Sequence, residues 1–515
     1  MKHPFRIALI ASALLAAGFS HANPSGKVWI TIGQEGYQLL QQVDQRAVSL
    51  EKKRIRTSAT APASDPGEMV HVVEVDEATL SALSGAIHQK LRHCGGYTAH
   101  TTLAEARAAL NPQPAIATRP VYKIDDQAQV TPMLNQMQDS NIASTIVHLS
   151  SYTNRYYTSS HGQNASNWIA SHWRQLAGSR SDVTVEQFTH SGWPQKSIIM
   201  TIKGTDNPDQ ILVLGGHMDS INQSGTSENT RAPGADDDAS GVASMTEVIR
   251  TMMATNYKPR RTIKFMAYAA EEVGLRGSAA IAKQMRSQNA NVVGVIQLDM
   301  TNYKGAEADI YLFTDYTDAQ QNQFLADLAR TYLPSLKVGY DKCGYKCSDH
   351  ASWYDQGYAA SFPFEATFDG SDPHIHTVND TYANTGNQAL HALKFSRLAL
   401  AYAVELGNDG PDDTGGDDRV ENFSGSVARG ENKYYGPFKV AAGTTFKADM
   451  TGTGDADLYV RIGSQPTTGA YNCRPYKSGS TENCSVNVPN KSDVYVMVRG
   501  YSAATYNLKV TYRPQ

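Results

Sequence analysis

The sequence predicts an α/β protein built on a mixed, mainly parallel sheet with helices on both faces. A C-terminal all-β sandwich and a small N-terminal α+β unit flank it. Three observations predict this organisation. Over residues 130–408, apolar runs rich in β-branched residues alternate with helical patterns, as strands covered by helices do. Over residues 420–515, apolar and polar residues alternate at period two between Gly and Ser turns, with no helical periodicity. Before residue 120, a short strand and an amphipathic helix stand apart, followed by a proline-rich stretch. At 515 residues the chain exceeds one typical core, so several folded units are expected. A formal net charge of −4 lacks the basic excess of a nucleic-acid binder.

Residues 1–22 place Lys2, His3 and Arg6 before an apolar run from Ile7 to Phe19 and close on Ser20-His21-Ala22. That pattern predicts a cleaved secretory signal and an exported, extracellular product. The run is too short to span a bilayer, and no later apolar stretch is long enough, so no membrane association is expected after cleavage. Residues 23–120 carry "HVVEVDEATLSALSGAIHQKLRHCGG", a strand and then a helix ended by Gly95-Gly96, followed by the linker "NPQPAIATRP". A small unit on an exposed linker reads as a propeptide; a permanent accessory domain is the alternative. Residues 121–408 form the central domain, 409–419 an acidic linker of turn-forming residues, and 420–515 the sandwich. Export permits disulfides. Of the five cysteines, Cys343 and Cys347 form one close pair and Cys473 and Cys484 another, the latter a staple for the sandwich. Cys94 is left over, as expected if its segment is later removed.

The chemistry lies at strand ends, where ligands gather in doubly wound sheets. "ILVLGG" is followed by His217 and Asp219, "TIKFMAYAA" by Glu271 and Glu272, and "VVGVIQL" by Asp299. Between the first two, "GADDDASG" sets Asp236, Asp237 and Asp238 side by side before a helix. Any one of these acids could cap a helix or face water. A buried cluster of them is strongly disfavoured unless a divalent cation supplies the missing charge. Imidazole with carboxylates and no thiolate suits zinc or a similar metal in a catalytic setting. Calcium is disfavoured, because the EF-hand spacing is absent and a histidine is present. Of Glu271 and Glu272, one can bind metal while its neighbour moves a proton. In "HIHT", both His374 and His376 are candidate ligands, and His350 in "CSDH" is a third.

"GGHMDS", "PGADDDASG", "AYAAEEVGLRGS", "LDMTNYKG", "CGYKCSDHASW" and "HIHT" occur in this order. Over roughly 130–405 the chain resembles the secreted bacterial leucyl aminopeptidases, cocatalytic dizinc exopeptidases. The resemblance implies a zinc exopeptidase-like fold and two Zn2+ per catalytic domain. Asp237 would bridge them, with His217 and Asp299 completing one site and Glu272 and His376 the other. Glu271 would be the general base, Tyr345 would stabilise the oxyanion, and Asp219 would orient His217. The same resemblance leaves His350 as structural support and makes Cys343–Cys347 a disulfide that fixes the loop of Tyr345. It also implies that Met300, Phe313, Phe362, Phe364, Phe368 and Ile375 line a pocket for a hydrophobic first residue.

The implied activity is removal of an N-terminal residue, preferably leucine or another hydrophobic one, from peptides and proteins with a free N-terminus. A water bridging the two zinc ions would attack, with Glu271 as its base. Residues 420–515 resemble the bacterial prepeptidase C-terminal domain. By similarity to the aminopeptidases, residues 23–120 are expected to assist folding and restrain activity until a maturation protease removes them, and a monomer is expected for a secreted exopeptidase. Three rivals are weaker: a carboxypeptidase or glutaminyl cyclase on the same fold, a catalytically silent binding protein, and a β-sandwich adhesin. The complete ligand set and Glu271 favour the aminopeptidase.

Overall fold

The computed structural model describes residues 26–57, 67–91, 95–111, 113, 119–409, 419–442 and 444–514. The expected signal, Cys94 and most of the acidic linker lie outside these residues. Three hydrophobic cores are separate in sequence: one within Val28–Tyr97, one within Val130–Leu406 and one within Val427–Tyr512.

The N-terminal unit is a four-stranded antiparallel sheet in the order β2-β3-β1-β4. Its strands are β1 (Lys27–Gly33), β2 (Ser49–Ile55), β3 (Glu68–Asp76) and β4 (Tyr97–His100). Helices α1 (Gln34–Val43), α2 (Thr79–Leu91) and α3 (Leu103–Ala108) accompany it. The α+β expectation holds. Leu80, Leu83 and Ile87, at helical spacing on α2, pack with Ile30 and Val73 of the sheet.

The central domain opens with helices α4 (Gln127–Leu134), α5 (Asp139–Ser151) and α6 (Ser160–Ala177). There follow β5 (Val183–Phe188), β6 (Ser197–Ile202), β7 (Asn207–His217), α7 (Ala239–Ala254), β8 (Arg261–Tyr268), α8 (Arg276–Ser287) and β9 (Asn291–Gln297). Then come β10 (Ile310–Phe313), α9 (Ala319–Tyr332), β11 (Val338–Asp341), α10 (His350–Asp355), β12 (Ala360–Ser361), β13 (Pro363–Phe364) and α11 (Leu390–Asn408). The main sheet has the order β12-β9-β7-β8-β6-β5. β12, β9, β7 and β8 run parallel, while β6 and β5 add an antiparallel edge.

Both faces are covered, because successive side chains of a strand point to opposite sides. Leu212, Leu214 and Phe265 pack with α7 and α11, whereas Val213, Met266 and Tyr268 pack with Ile281 of α8 and Trp353 of α10. The strand in "DIYLFTD", β10, lies outside the main sheet. β9 is already flanked by β7 and β12, so β10 pairs with β11 and β13 in a small sheet of its own.

Beyond the linker, β14 (Arg419–Val427), β15 (Asn432–Val440), β16 (Thr444–Thr453), β17 (Ala456–Ile462), β18 (Glu482–Val488), β19 (Ser492–Gly500) and β20 (Ala504–Tyr512) form two antiparallel sheets. Their orders are β14-β20-β16-β18 and β15-β19-β17, and Phe446, Val460, Val496 and Leu508 meet in one core between them. This is the expected sandwich. Cys473–Cys484 bridges it with a Cα–Cα separation of 5.8 Å.

The N-terminal unit packs on the central domain through polar contacts. Ala99 N donates to the Gly274 carbonyl at 3.0 Å, Arg276 pairs with Glu77 at 2.7 Å, and the Tyr316 hydroxyl donates to Glu68 at 2.6 Å. Burial pushes the Glu68 carboxyl up to about 7, against the Tyr316 hydroxyl and Lys346, which pull it down. Because this value lies above that of an exposed glutamate, Glu68 supports the packed state fully only below about pH 4.5. The support fades as pH rises through 7, by on the order of 3 kcal/mol. Limited proteolysis of the full chain should therefore release the N-terminal unit faster at pH 8 than at pH 5. Glu68→Gln should flatten that difference.

Candidate metal centre

Three neighbouring parallel strands end at one edge of the sheet, and each is followed by an acid or imidazole. β7 ends in His217; β8 is followed by Glu271 and Glu272 after Ala270, whose φ is +59°; β9 is followed by Asp299 and then Met300, whose φ is +54°. These left-handed turns swing the chain out of the strand direction and leave the side chains at the sheet edge. The aspartate loop enters from the N-terminus of α7, and His376 (φ +57°) from the loop before α11.

Each of the three adjacent aspartates does a different job. Asp236 accepts from Asn302 N at 3.0 Å. Asp238 accepts from His217 N at 3.0 Å, Gly241 N at 2.7 Å and Met300 N at 3.2 Å, clasping two strand ends and capping α7. Asp237 turns its carboxylate to both histidines: Oδ1 lies 2.9 Å from His217 Nε2 and Oδ2 lies 3.0 Å from His376 Nε2. Asp299 stands 3.5 Å from His217 Nε2, and Glu272 stands 2.7 Å from His376 Nε2. The five residues expected as ligands are thus brought together, in two halves that share Asp237. His374 is not among them; its main-chain N donates to Asp372. His350 is stacked on Phe362 with ring centroids 4.7 Å apart.

Every one of these ligands is buried. Even so, both oxygens of Glu271 and of Glu272, Asp299 Oδ1 and His376 Nε2 have no hydrogen-bond partner among the described residues. Buried polar atoms are rarely left so. His217, Asp237 and Glu272 offer atoms within 4.8 Å of one another, as cation ligands must.

The electrostatics agree. Burial raises Glu271 well above the usual carboxylate range; His217 opposes this, and Glu272, Asp349 and Asp299 add to it. Burial and Asp237 push Glu272 up to about 7 against His376. Burial would raise Asp237 too, but the two histidines hold it below the usual range. Both histidines sit well above theirs: burial opposes the shift, and Asp299 for His217 and Glu272 for His376 outweigh it. A cluster that balances only by protonating its own ligands fits a divalent cation, and imidazole with carboxylate and no thiol fits zinc.

Asp219 serves this centre by a route the sequence did not reveal. Its carboxylate accepts from Glu271 N at 3.0 Å and Glu272 N at 3.2 Å, and its main-chain carbonyl lies 3.2 Å from His217 Nδ1. Its carboxylate stands 3.6 Å from that nitrogen, so it spans both glutamates as well as facing the imidazole. Sequence reasoning missed Asp380, which accepts from Asp236 N at 2.8 Å and Asp237 N at 3.2 Å, and Ser348, which donates to Asp299 at 2.5 Å. Ser348 sits inside the quoted "CGYKCSDH", a signal that could have found it.

Beside Asp299 opens a pocket lined by Met300, Phe313, Phe362, Phe364, Phe368 and Ile375, together with Tyr345 and the Cys343–Cys347 disulfide. All six residues expected in a specificity pocket are there. Asp315 holds the disulfide loop by accepting from Cys343 N at 3.1 Å and Gly344 N at 2.6 Å, which places Tyr345 at the pocket wall.

The N-terminal unit reaches the same place. Ser84 of α2 donates to the Glu272 carbonyl at 2.9 Å, and the ring of His88 lies 4.6 Å from that of His376. A side chain on Gly95 would come within 4.0 Å of Glu271 Oε1.

Comparison with known proteins accords with this geometry. Residues 197–401 match the model of peptidase family M28, and residues 434–500 match the bacterial pre-peptidase C-terminal domain. Leucine aminopeptidase 1 of Fusarium vanettenii is 35% identical over 55% of this chain and 73% of its own length. The chain belongs to peptidase family M28. Among solved structures, the LapA aminopeptidase of Legionella pneumophila matches with a TM-score of 0.62 and 29% identity, over 74% of this chain and 99% of that one. LapB from the same organism matches with the same score and identity over 100% of its chain. This M28 chain is a metallo-aminopeptidase, and among the described residues the buried groups His217, Asp237 and Glu272, and His217, Asp238 and Asp299, could hold a metal ion. Removing the metal leaves that cluster uncompensated. Chelation should lower the thermal midpoint of the central domain by several degrees, zinc should restore it, and the β-sandwich transition should not move.

Proposed function

We propose that this chain is a secreted aminopeptidase loaded with two zinc ions, which removes leucine or another hydrophobic residue from the N-terminus of peptides and proteins. The observation that carries the reading is Asp237, whose two carboxylate oxygens face two different histidines, each with its own second carboxylate. One half-site would be His217, Asp237 and Asp299; the other would be His376, Asp237 and Glu272. When bound, zinc supplies Lewis-acid polarisation of a carbonyl and acidifies water.

The residues do the rest. Glu271, buried and with neither oxygen hydrogen-bonded among the described residues, accepts a proton from the attacking water and returns it to the departing amine nitrogen. Burial raises its affinity for protons, which suits a group that takes up and returns a proton. Tyr345, held by the disulfide loop, donates to the oxygen on which charge develops. The aromatic pocket takes the side chain of the first residue and excludes water from it. A free amine on the substrate, beside the buried carboxylates, limits cleavage to that residue.

The N-terminal unit is a propeptide in this reading. Ser84 and His88 stand where substrate would approach Glu272 and His376, so a maturation protease acting on the linker before residue 121 would open the site. Export is supported by the sequence of residues 1–22 and by two disulfides, which persist in oxidising compartments.

Release of p-nitroaniline from Leu-p-nitroanilide should be lost on chelation, recovered with zinc and absent for the N-acetylated substrate. Activity indifferent to both the amine and the metal would overturn the reading. Glu271→Gln should lower kcat by about 100-fold or more while leaving zinc content unchanged. In the uncleaved chain, His88→Ala should raise the residual activity, whereas the mature enzyme without residues 23–120 should exceed both.

A further inference from the structure

We infer that Arg155 is the positioning residue of the metal centre: its guanidinium ties the loop of His217 to the loop of Asp237 and sets the spacing of these two ligands. The inference rests on the zinc reading above and adds to it a residue that binds main-chain carbonyls instead of ligand side chains.

Arg155 follows α5 and is fully buried. A buried guanidinium is costly unless its donors are satisfied, and such groups are ordinarily paired with a carboxylate. Among the described residues, no carboxylate forms an ion pair with it. Four carbonyls accept from it instead: Met218 from Nε at 2.8 Å, Leu149 from Nη1 at 3.3 Å, Pro233 from Nη1 at 2.5 Å and Gly234 from Nη2 at 2.8 Å. Met218 directly follows His217. Pro233 and Gly234 lead into Asp237. One rigid planar fork therefore spans the terminal histidine and the shared aspartate.

The surroundings are built to admit that fork. Gly234 has a φ of +53°, and a Cβ there would lie 2.7 Å from Arg155 Nη2 and 2.4 Å from the Asp237 carbonyl. Ser220 closes the ring, accepting from Arg155 N at 2.9 Å and donating to the Ala232 carbonyl at 2.9 Å. Lysine would keep the charge but present a single point in place of a fork, so it cannot hold both loops at once.

The test titrates zinc into the chelated full-length chain against a competing chromogenic chelator, and records the absorption spectrum of the cobalt(II)-loaded protein. Wild type should take up two metal ions. Arg155→Lys should weaken one of them by about tenfold, the size of effect expected when the support of a ligand is lost, and should shift the cobalt spectrum. Ser220→Ala, a milder change at the same ring, should weaken the same ion by a smaller factor. If the lysine variant does not fold, the serine variant decides. Metal affinities and cobalt spectra equal to wild type in a folded variant, with only a lowered thermal midpoint, would overturn the clamp and leave the zinc reading standing. A wild-type chain that takes up no zinc would overturn both.

Discussion

The burial of Asp237 between two histidines is the constraint on which this structure depends. Its carboxylate is almost completely buried, and Glu271, Glu272 and Asp299 are buried around it. Such a group of like charges cannot stand alone in a protein interior. The fold assembles these acids and the two histidines from three strand ends and two loops, which no local preference of those segments would produce. That assembly suits a place where a cation is to be held, and among the described residues the oxygens of Glu271 and Glu272 there lack a hydrogen-bond partner.

Holding the ligands falls to the main chain around them. Asp238, Asp219 and Asp380 each accept from backbone N–H groups of the segments that carry the clustered side chains. The effect is to stitch β7, β8 and β9 together just beyond their ends, where sheet hydrogen bonds have stopped. Arg155 completes the set from the opposite sign, donating to carbonyls where the aspartates accept from amides. Charged hydrogen bonds to the backbone are stronger than neutral ones, which suits loops that must resist the pull of a metal.

The N-terminal unit uses the same surface differently. It has its own small core, and it meets the central domain through polar contacts and a histidine placed against a histidine. A partner with an independent core and a polar seam can be released without unfolding either side. Glu68, buried at that seam, makes the strength of the association depend on pH.

Much of this was legible in the chain itself. The alternation of strands and helices, the period-two tail and the cysteine pairs each report on residues close in sequence, and each was matched by the structure. The ligand types were legible too, because His217, Glu271, Glu272 and Asp299 directly follow apolar runs. The exclusion of β10 from the main sheet was not, since it turns on which strand occupies the edge of β9. Nor were the separate tasks of Asp236, Asp237 and Asp238, or the choice of His376 over His374 without family resemblance. Arg155 and Asp380 stood in the sequence as an ordinary arginine and aspartate. The sequence by itself determined which elements form and which residue types arrive at the sheet edge, because periodicity and strand endings are local. Only the tertiary structure decided which atom faces which, because hydrogen-bond partners here lie scores of residues apart and are chosen by packing.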